Sequence, residues 1–197
     1  RVAELTESFR MNSTYRLAQN AITQTTVEEV ALNREIVTAA DFTFSTELDQ
    51  WAVTNHKKSG RCWMFAGFNV MRPKVIHDMG LEDFEFSSAY LQFWDKMEKA
   101  NLYLEAVIEM RDADPLDRDW QLINEWMVGD GGWWNFVTSL VKKYGAVPAS
   151  VMPETHSSEN TRVMNIVLGR LLRSRAARII DSAGKGAAVE VLREAKE

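Results

Sequence analysis

Two stretches of the chain carry apolar residues in patterns that predict helices. From Cys62 to Met71 the chain is apolar on nearly every side, which is typical of a helix buried in a protein interior. From Tyr90 to Ile108 large side chains recur every three or four residues, as one helical face requires. Ser87 and Ser88 are suitable N-caps for this second helix. Its predicted face comprises Tyr90, Trp94, Met97, Asn101, Leu104 and Ile108.

Further helices are predicted in the second half of the chain. The stretch from Trp134 to Tyr144 has its apolar residues on one side, and Gly145 and Pro148 follow it as stop signals. Residues 159–197 are also predicted to be helix-rich, with a break around Gly184 to Gly186. Their helical spacing is carried by Val163, Val167 and Leu171.

The remaining segments show weaker patterns. Segment 12–34 is mixed polar and compatible with helix, whereas segment 41–54 has no assignable period and is predicted to be a loop with short extended pieces. Residues 55–61 form a polar loop ahead of the buried helix. We interpret most of the seven tryptophans as core residues. The chain should therefore be mainly helical, with few and short strands.

Composition and charge exclude several classes of function. With 46% hydrophobic and 26% charged residues, the chain has the balance of a globular protein. A net charge of −5 argues against nucleic acid as a partner, because that binding depends on clustered Lys and Arg. One local basic stretch is interpreted as a solvated helix face. It comprises Arg162, Arg170, Arg173, Arg175 and Arg178.

Hydropathy and cysteine content indicate a compartment. No apolar run approaches the roughly 20 residues of a membrane-spanning helix, and the first residues lack the apolar core of a signal peptide. We therefore expect a cytoplasmic protein with no membrane partner. Cys62 is the only cysteine and cannot form an intramolecular disulfide, which fits a reducing compartment. Packing, metal binding and reactivity remain as roles for Cys62.

Cys62 lies where the polar loop enters the buried helix. The positive end of a helix favours a thiolate, which is the nucleophilic form of cysteine. A lone cysteine beside Trp and Met is more often inert packing. The string Ser59-Gly60-Arg61-Cys62-Trp63 reverses that preference, because it is close to the papain-type signature Cys-Gly-Ser/Ala-Cys-Trp/Tyr.

With serine in the first position, this string resembles the bleomycin hydrolase and aminopeptidase C family of papain-like cysteine peptidases. The resemblance continues in the family's order along essentially the whole chain, and chance agreement of five ordered blocks is not credible. The blocks are VALNREIV (30–37), VTNHKKSGRCWMFAGFNVMR (53–72), FEFSSAYLQFWDKMEKANLYLEAVIE (84–109), GDGGWWNFV (129–137) and KKYGAVPASVMPETHSSENTR (142–162).

This resemblance implies an α+β fold of the papain-like cysteine peptidase type, with residues 1–197 forming its N-terminal, nucleophile-bearing part and mostly the helical lobe. It implies a cysteine aminopeptidase that removes N-terminal residues from peptides through an acyl-enzyme. In such enzymes a thiolate attacks the peptide carbonyl, His acts as base and then as acid, and Asn orients the imidazole. Cys62 matches the nucleophile. No cofactor and no metal are implied.

Four further residues are assigned by the same resemblance. Gly131 and Gly132 match the Gly-Gly segment that binds an extended peptide in papain-type enzymes, although a plain helix-entry turn is the alternative. Six residues before the nucleophile, where the family usually has a glutamine that donates to the oxyanion, this chain has His56. After the glycine pair, where the family again usually has glutamine, it has Trp133. His56 is thus a candidate oxyanion-hole residue, and Trp133 a candidate substrate-binding residue.

The histidines limit what this chain can do alone. None of His56, His77 and His156 lies in a segment resembling the family's catalytic histidine, which comes later in a considerably longer polypeptide together with its asparagine. His77 and His156 are interpreted as surface or capping residues. We therefore expect the His- and Asn-bearing part to be absent from residues 1–197, and this chain alone to be inactive.

Three functions remain open at this point. The chain is the N-terminal portion of a working aminopeptidase, a truncated and inactive family member kept as a binding or assembly module, or a helical protein with a structural cysteine. The five ordered blocks disfavour the last. The resemblance also implies peptide substrates and a homo-oligomer, hexameric in the family, with inward-facing active sites.

Overall fold

The computed structural model describes residues 1–41, 43, 45 and 52–196. The chain divides into two compact units, Arg1–Glu47 and Leu48–Glu197. Within the described residues there are eleven helices and no strand, so the prediction of a mainly helical chain is confirmed, whereas these residues do not establish the α+β class. The helices are α1 (Val2–Met11), α2 (Ser13–Ile22), α3 (Val27–Ala31), α4 (Arg34–Ala39), α5 (Cys62–Met79), α6 (Ser88–Glu109), α7 (Arg118–Trp126), α8 (Trp134–Tyr144), α9 (His156–Glu159), α10 (Arg162–Gly184) and α11 (Val189–Glu194).

The first unit consists of short helices held by local capping. The side chains of Asn12, Thr26 and Asn33 accept hydrogen bonds from backbone N–H groups at the starts of α2, α3 and α4. None of the residues of α1–α4 is buried. The helix-compatible segment 12–34 is confirmed by α2 and α3. Most of the predicted loop 41–54 lies outside the described residues.

Helix α5 begins at Cys62, as predicted, and runs for 18 residues. It continues beyond the predicted end at Met71, through Pro73, to a C-cap at Gly80 with φ of 62°. A left-handed C-cap of this kind is typical of glycine. Because α5 is buried on several sides, its sequence lacks a polar stripe.

Helix α6 confirms the second prediction and its cap. The Ser87 hydroxyl oxygen accepts a hydrogen bond from the Tyr90 N–H at 3.1 Å. The predicted face is wrong in its middle, because Met97 is 50% exposed and Asn101 is also exposed. Helix α6 packs against both α8 and α10, so its buried positions spread around the helix and include charged residues.

Two clusters of buried side chains hold the second unit together. One lies among α5, α6 and α8 and comprises Trp63, Met64, Phe68, Leu91, Val137 and Leu140. The other joins α6, α10 and α11 with the end of α7 and comprises Tyr103, Leu104, Val107, Ile108, Met127, Val128, Leu172, Ala176, Ile179 and Leu192. Helices α5 and α8 meet closely at Gly67, where an added Cβ would lie 2.5 Å from Val137 Cγ1.

Helices α8 and α10 end where the sequence predicted. Helix α8 has the predicted bounds, and α10 ends at the predicted break at Gly184. The helical spacing in α10 is real, but it marks an exposed face: Val163, Val167 and Leu171 are more than half exposed. The buried face of α10 is instead formed by Gly169, Leu172, Ala176 and Ile179.

Half of the six described tryptophans belong to a buried cluster or pack against one, so the interpretation of most tryptophans as core residues is only partly correct. Trp63 is buried, at 8% exposure, and Trp94 and Trp120 are half-buried. The exposed ones are Trp126, Trp133 and Trp134, at 66%, 73% and 53%. None of the described helices is both long enough and apolar enough to cross a membrane.

Candidate active site

The thiol of Cys62 is exposed at the first residue of α5. The Arg61 carbonyl oxygen accepts the N–H groups of Met64 and Phe65, at 2.9 and 3.1 Å. The N–H groups of Cys62 and Trp63 donate to none of the described residues. The start of α5 therefore offers unpaired N–H donors beside an accessible thiol, a combination suited to binding a developing negative charge.

The loop before Cys62 turns sharply twice. Lys57 and Gly60 have φ of 53° and 59°, in the left-handed region. Gly60 is also confined, because an added Cβ would lie 2.8 Å from the Cβ of Asp130. Lys58 fastens the loop to the end of α9 through an N–H bond to the Glu159 carbonyl at 2.9 Å. The glycine two residues before the nucleophile is therefore required both by its φ and by its neighbour.

Arg61, which directly precedes Cys62, is almost fully buried at 1% exposure. Its guanidinium donates to Glu154 through two nitrogens, at 2.9 and 3.0 Å. It also donates to the hydroxyls of Ser59 at 2.7 Å and Ser88 at 3.0 Å. A bidentate, buried pair of this kind fixes orientation as well as charge. Arg61 thereby anchors the residue next to Cys62 to α6 and to the segment before α9.

Glu154 is the acceptor on which this anchor depends. Burial raises the pKa of its carboxyl, but hydrogen bonds from Arg61, Ser158 and Ser88 outweigh burial and hold the pKa below its ordinary value. Ser158 donates at 2.5 Å. Glu154 therefore stays ionised at neutral pH and balances the buried charge of Arg61.

Trp63, which directly follows Cys62, connects α5 to the glycine-rich segment 129–132. Its indole N–H donates to the carbonyl oxygen of Asp130 at 2.9 Å. An added Cβ at Gly132 would lie 2.4 Å from Cε2 of the indole. Gly132 is therefore a glycine because Trp63 occupies the space of a side chain. At Gly131 no atom of the described residues lies within 4 Å of an added Cβ.

Asp130 joins three parts of the site through its carboxylate. One oxygen accepts from Lys96 at 2.7 Å, and the other accepts from Thr161 at 2.7 Å and Asn165 at 3.0 Å. Burial raises the pKa of Asp130, but these hydrogen bonds outweigh it and leave the pKa below its ordinary value. Asp130 thus holds the glycine-rich segment to α6 and α10 as an ionised group.

Two lysines of α6 lie beneath the same segment. Lys96 donates to the Val128 carbonyl at 2.7 Å, and Lys99 donates to the carbonyls of Gly129 and Gly131, both at 2.8 Å. Burial lowers the pKa of Lys96 and outweighs its hydrogen bond to Asp130. Burial also raises the pKa of Asp95, which accepts from Lys99 at 2.8 Å. The backbone carbonyls of Val128, Gly129 and Gly131 are therefore held by the ammonium groups of Lys96 and Lys99.

The remaining candidate residues lie in different settings. His56 is half-buried, with its ring edge-on to Phe65 at 6.1 Å between centroids, and its Nδ1 has no hydrogen-bond partner among the described residues. Trp133 is the N-cap residue of α8 and is 73% exposed. His77 and His156 are exposed, as their surface interpretation predicted.

A groove in the second unit is lined by residues other than Cys62. It has a volume of about 750 Å³ and runs between α6 and α10, where Phe93, Met97 and Leu168 are among its lining residues. Neither Cys62 nor Gly131 lines it.

Sequence reasoning missed the charged residues that support the site. Arg61 and Asp130 stand within the quoted strings, yet neither was given a role, and Lys96, Lys99 and Glu154 were not singled out. The sequence held one signal of these residues, because Asp95, Lys96 and Lys99 are charged and lie inside an otherwise apolar helix pattern. Charged residues at such positions are rarely buried unless they are paired.

Comparison with known proteins identifies the family. The model of the Peptidase C1-like family matches residues 1–197. The chain belongs to the Peptidase C1-like family, and its predicted resemblance to bleomycin hydrolase and aminopeptidase C is confirmed.

Individual relatives agree with this assignment. Aminopeptidase C of Streptococcus thermophilus is 39% identical over 194 residues, which cover 98% of this chain and 44% of the relative. Bleomycin hydrolase of Gallus gallus is 36% identical over 196 residues, which cover 98% of this chain and 43% of that relative. The crystal structure of PepW from Lactobacillus rhamnosis superposes with a TM-score of 0.82 at 35% identity, covering 99% of this chain and 44% of that one. The chain spans less than half the length of these relatives.

Proposed function

We propose that the protein carrying this chain is a cysteine aminopeptidase that removes N-terminal residues from peptides, with Cys62 as its nucleophile. The observation that carries the proposal is the position of Cys62, exposed at the start of α5 beside unpaired backbone N–H groups. The names of the relatives, aminopeptidase C and bleomycin hydrolase, support the same reaction class. By the same kinship we infer a cytoplasmic homo-oligomer.

The first half-reaction forms an acyl-enzyme. The thiolate of Cys62 attacks the carbonyl carbon of the first peptide bond, and the carbonyl oxygen takes the negative charge. The N–H of Cys62 donates to that oxygen, and His56 is proposed as a second donor. When the tetrahedral intermediate collapses, the C–N bond breaks and the shortened peptide leaves as an amine after receiving a proton.

The second half-reaction releases the amino acid. Water adds to the thioester, and the C–S bond breaks to return the thiolate. Both halves need a group that moves protons. Among the described residues, no hydrogen bond joins His56, His77 or His156 to the Cys62 thiol. We therefore assign the base and its orienting asparagine to polypeptide outside residues 1–197, and infer that this chain alone is inactive.

The peptide is proposed to lie along Gly131 and Gly132, next to Trp133. The N–H of Gly131 and both backbone polar groups of Gly132 have no partner among the described residues. An extended peptide pairs with such groups. Trp133 exposes 73% of its surface directly after them, so its indole is placed to contact a substrate side chain.

The proposal is tested with the full-length protein and one peptide in two forms, free and N-acetylated at its first residue. Products are identified by mass spectrometry over time. We expect stepwise loss of single N-terminal residues from the free peptide and no cleavage of the acetylated one. Internal cleavage of both forms contradicts an aminopeptidase. No turnover of either by protein of verified mass supports the inactive binding module instead.

A further inference from the structure

The ammonium group of Lys99 is largely buried and fully hydrogen-bonded, unlike that of a lysine needed only for solubility. Its side chain is 14% exposed, and its ammonium donates to Asp95, Gly129 and Gly131, each at 2.8 Å. An ammonium group has three N–H donors, so all three are used. Two of the three acceptors are backbone carbonyls of the glycine-rich segment 129–132.

The ammonium also lies close to aromatic rings of the site. Its nitrogen is 5.6 Å from the ring centroid of Trp63 and 5.8 Å from that of Phe136, both within the range of cation–π attraction. Trp63 in turn bonds the carbonyl of Asp130. Three successive carbonyl oxygens are therefore held by neighbouring side chains: those of Gly129 and Gly131 by Lys99, and that of Asp130 by Trp63.

This arrangement determines which backbone groups remain free. The carbonyl of Gly131 is occupied by Lys99, whereas its N–H and the N–H and carbonyl of Gly132 have no partner among the described residues. Glycines are conformationally permissive, so without such bonds these peptide planes would rotate. A backbone already fixed in its binding orientation loses less entropy when a peptide pairs with it.

We propose that Lys99 is a positioning residue for the peptide substrate: it holds the carbonyls of Gly129 and Gly131 so that the free groups of Gly131 and Gly132 face an incoming peptide. The proposal rests on the proposed aminopeptidase function. Lys99 touches no reacting atom, so its effect is on peptide binding and not on the reactivity of Cys62.

The test uses Lys99→Met in the full-length protein, with Lys185→Met as a matched control. Lys185 also bonds an aspartate four residues earlier in its helix, Asp181, but it is 73% exposed and bonds no carbonyl of the glycine-rich segment. For Lys99→Met we expect KM for a free peptide to rise about tenfold, with kcat and the rate of Cys62 alkylation by iodoacetamide within about twofold of the parent. The control should match the parent in all three.

Each other outcome overturns the proposal in a recognisable way. An unchanged KM in Lys99→Met rejects the role of Lys99 and leaves the aminopeptidase function standing. A fall in kcat and alkylation rate with unchanged KM assigns Lys99 a purely structural role. A parent without turnover rejects the proposed function and this inference with it. If Lys99→Met does not fold, Lys99→Gln is measured instead, because its shorter, neutral amide has only two N–H donors and cannot keep all three bonds; a KM equal to the parent then rejects the proposal.

Discussion

The backbone of Gly132 lies against the indole of Trp63 with no space for a side chain between them. An added Cβ would meet three indole atoms at 2.4 to 2.7 Å. Trp63 directly follows Cys62, and Gly132 directly precedes Trp133. The two residues thus couple the start of the nucleophile helix to the proposed peptide-binding segment.

Replacing Gly132 by alanine should destabilise the protein, because the buried indole must shift and its bond to Asp130 must lengthen. We expect Gly132→Ala to cost about 1–3 kcal/mol. Gly131→Ala is the control, since its added Cβ would have none of the described atoms within 4 Å, and it should change stability by less than about 1 kcal/mol. Thermal unfolding of both variants measures the difference. Equal midpoints would show that Trp63 and Gly132 do not interlock.

The pair of Arg61 and Glu154 should make stability depend on pH. The folded pKa of Glu154 lies below its ordinary value of 4.5, so its stabilisation is fully present above that value and is lost as pH falls through the folded pKa. Because the carboxylate is 32% exposed, we expect Glu154→Gln to cost only about 1–3 kcal/mol at neutral pH. The difference from the parent should shrink below about pH 4.5.

Unfolding of Glu154→Gln and the parent across pH 3 to 7 tests this. Asp181→Asn is the control, because it breaks the exposed pair with Lys185 and should cost under about 0.5 kcal/mol. A difference between Glu154→Gln and the parent that stays constant down to pH 3 would contradict an ionised Glu154 as the source of the stabilisation.

His56 should affect catalysis more than binding if it donates to the oxyanion. Its ring lies edge-on to Phe65 of α5, and its buried Nδ1 has no hydrogen-bond partner among the described residues. We expect His56→Gln to keep or raise kcat, and His56→Ala to lower kcat at least about tenfold with little change in KM. His77→Ala, at an exposed position, is the control. A fully active His56→Ala variant would remove His56 from the oxyanion hole.

The sequence predicted the helices best where local patterns decide them. Helix α8 has the predicted bounds because its apolar stripe ends at Gly145, whose φ of 77° favours glycine. Helix α5 ran past Met71 because buried contacts, such as that of Ile76, continue beyond Pro73. A proline costs a helix one hydrogen bond, which packing on several sides offsets.

Only those site residues that lie in a short sequence motif could be predicted from the sequence. Cys62 could be placed at a helix start because a polar loop and an apolar run meet there. The partners of Arg61 and Asp130 could not be found this way, since Arg61 bonds Glu154 93 residues later and Asp130 bonds Lys96 34 residues earlier. Such pairs depend on tertiary packing, which periodicity does not report. The same limit explains why Val163 and Val167 marked the exposed side of α10.

The central claim is that Cys62 is the nucleophile of a peptidase, and the most direct measurement is the rate at which the full-length Cys62→Ala variant releases N-terminal residues from a free peptide. Removing a nucleophile of this kind abolishes the covalent route, so we predict a fall of at least about a thousandfold relative to the parent, with the thermal midpoint unchanged. A Cys62→Ala variant that turns over the peptide as fast as the parent would contradict the account.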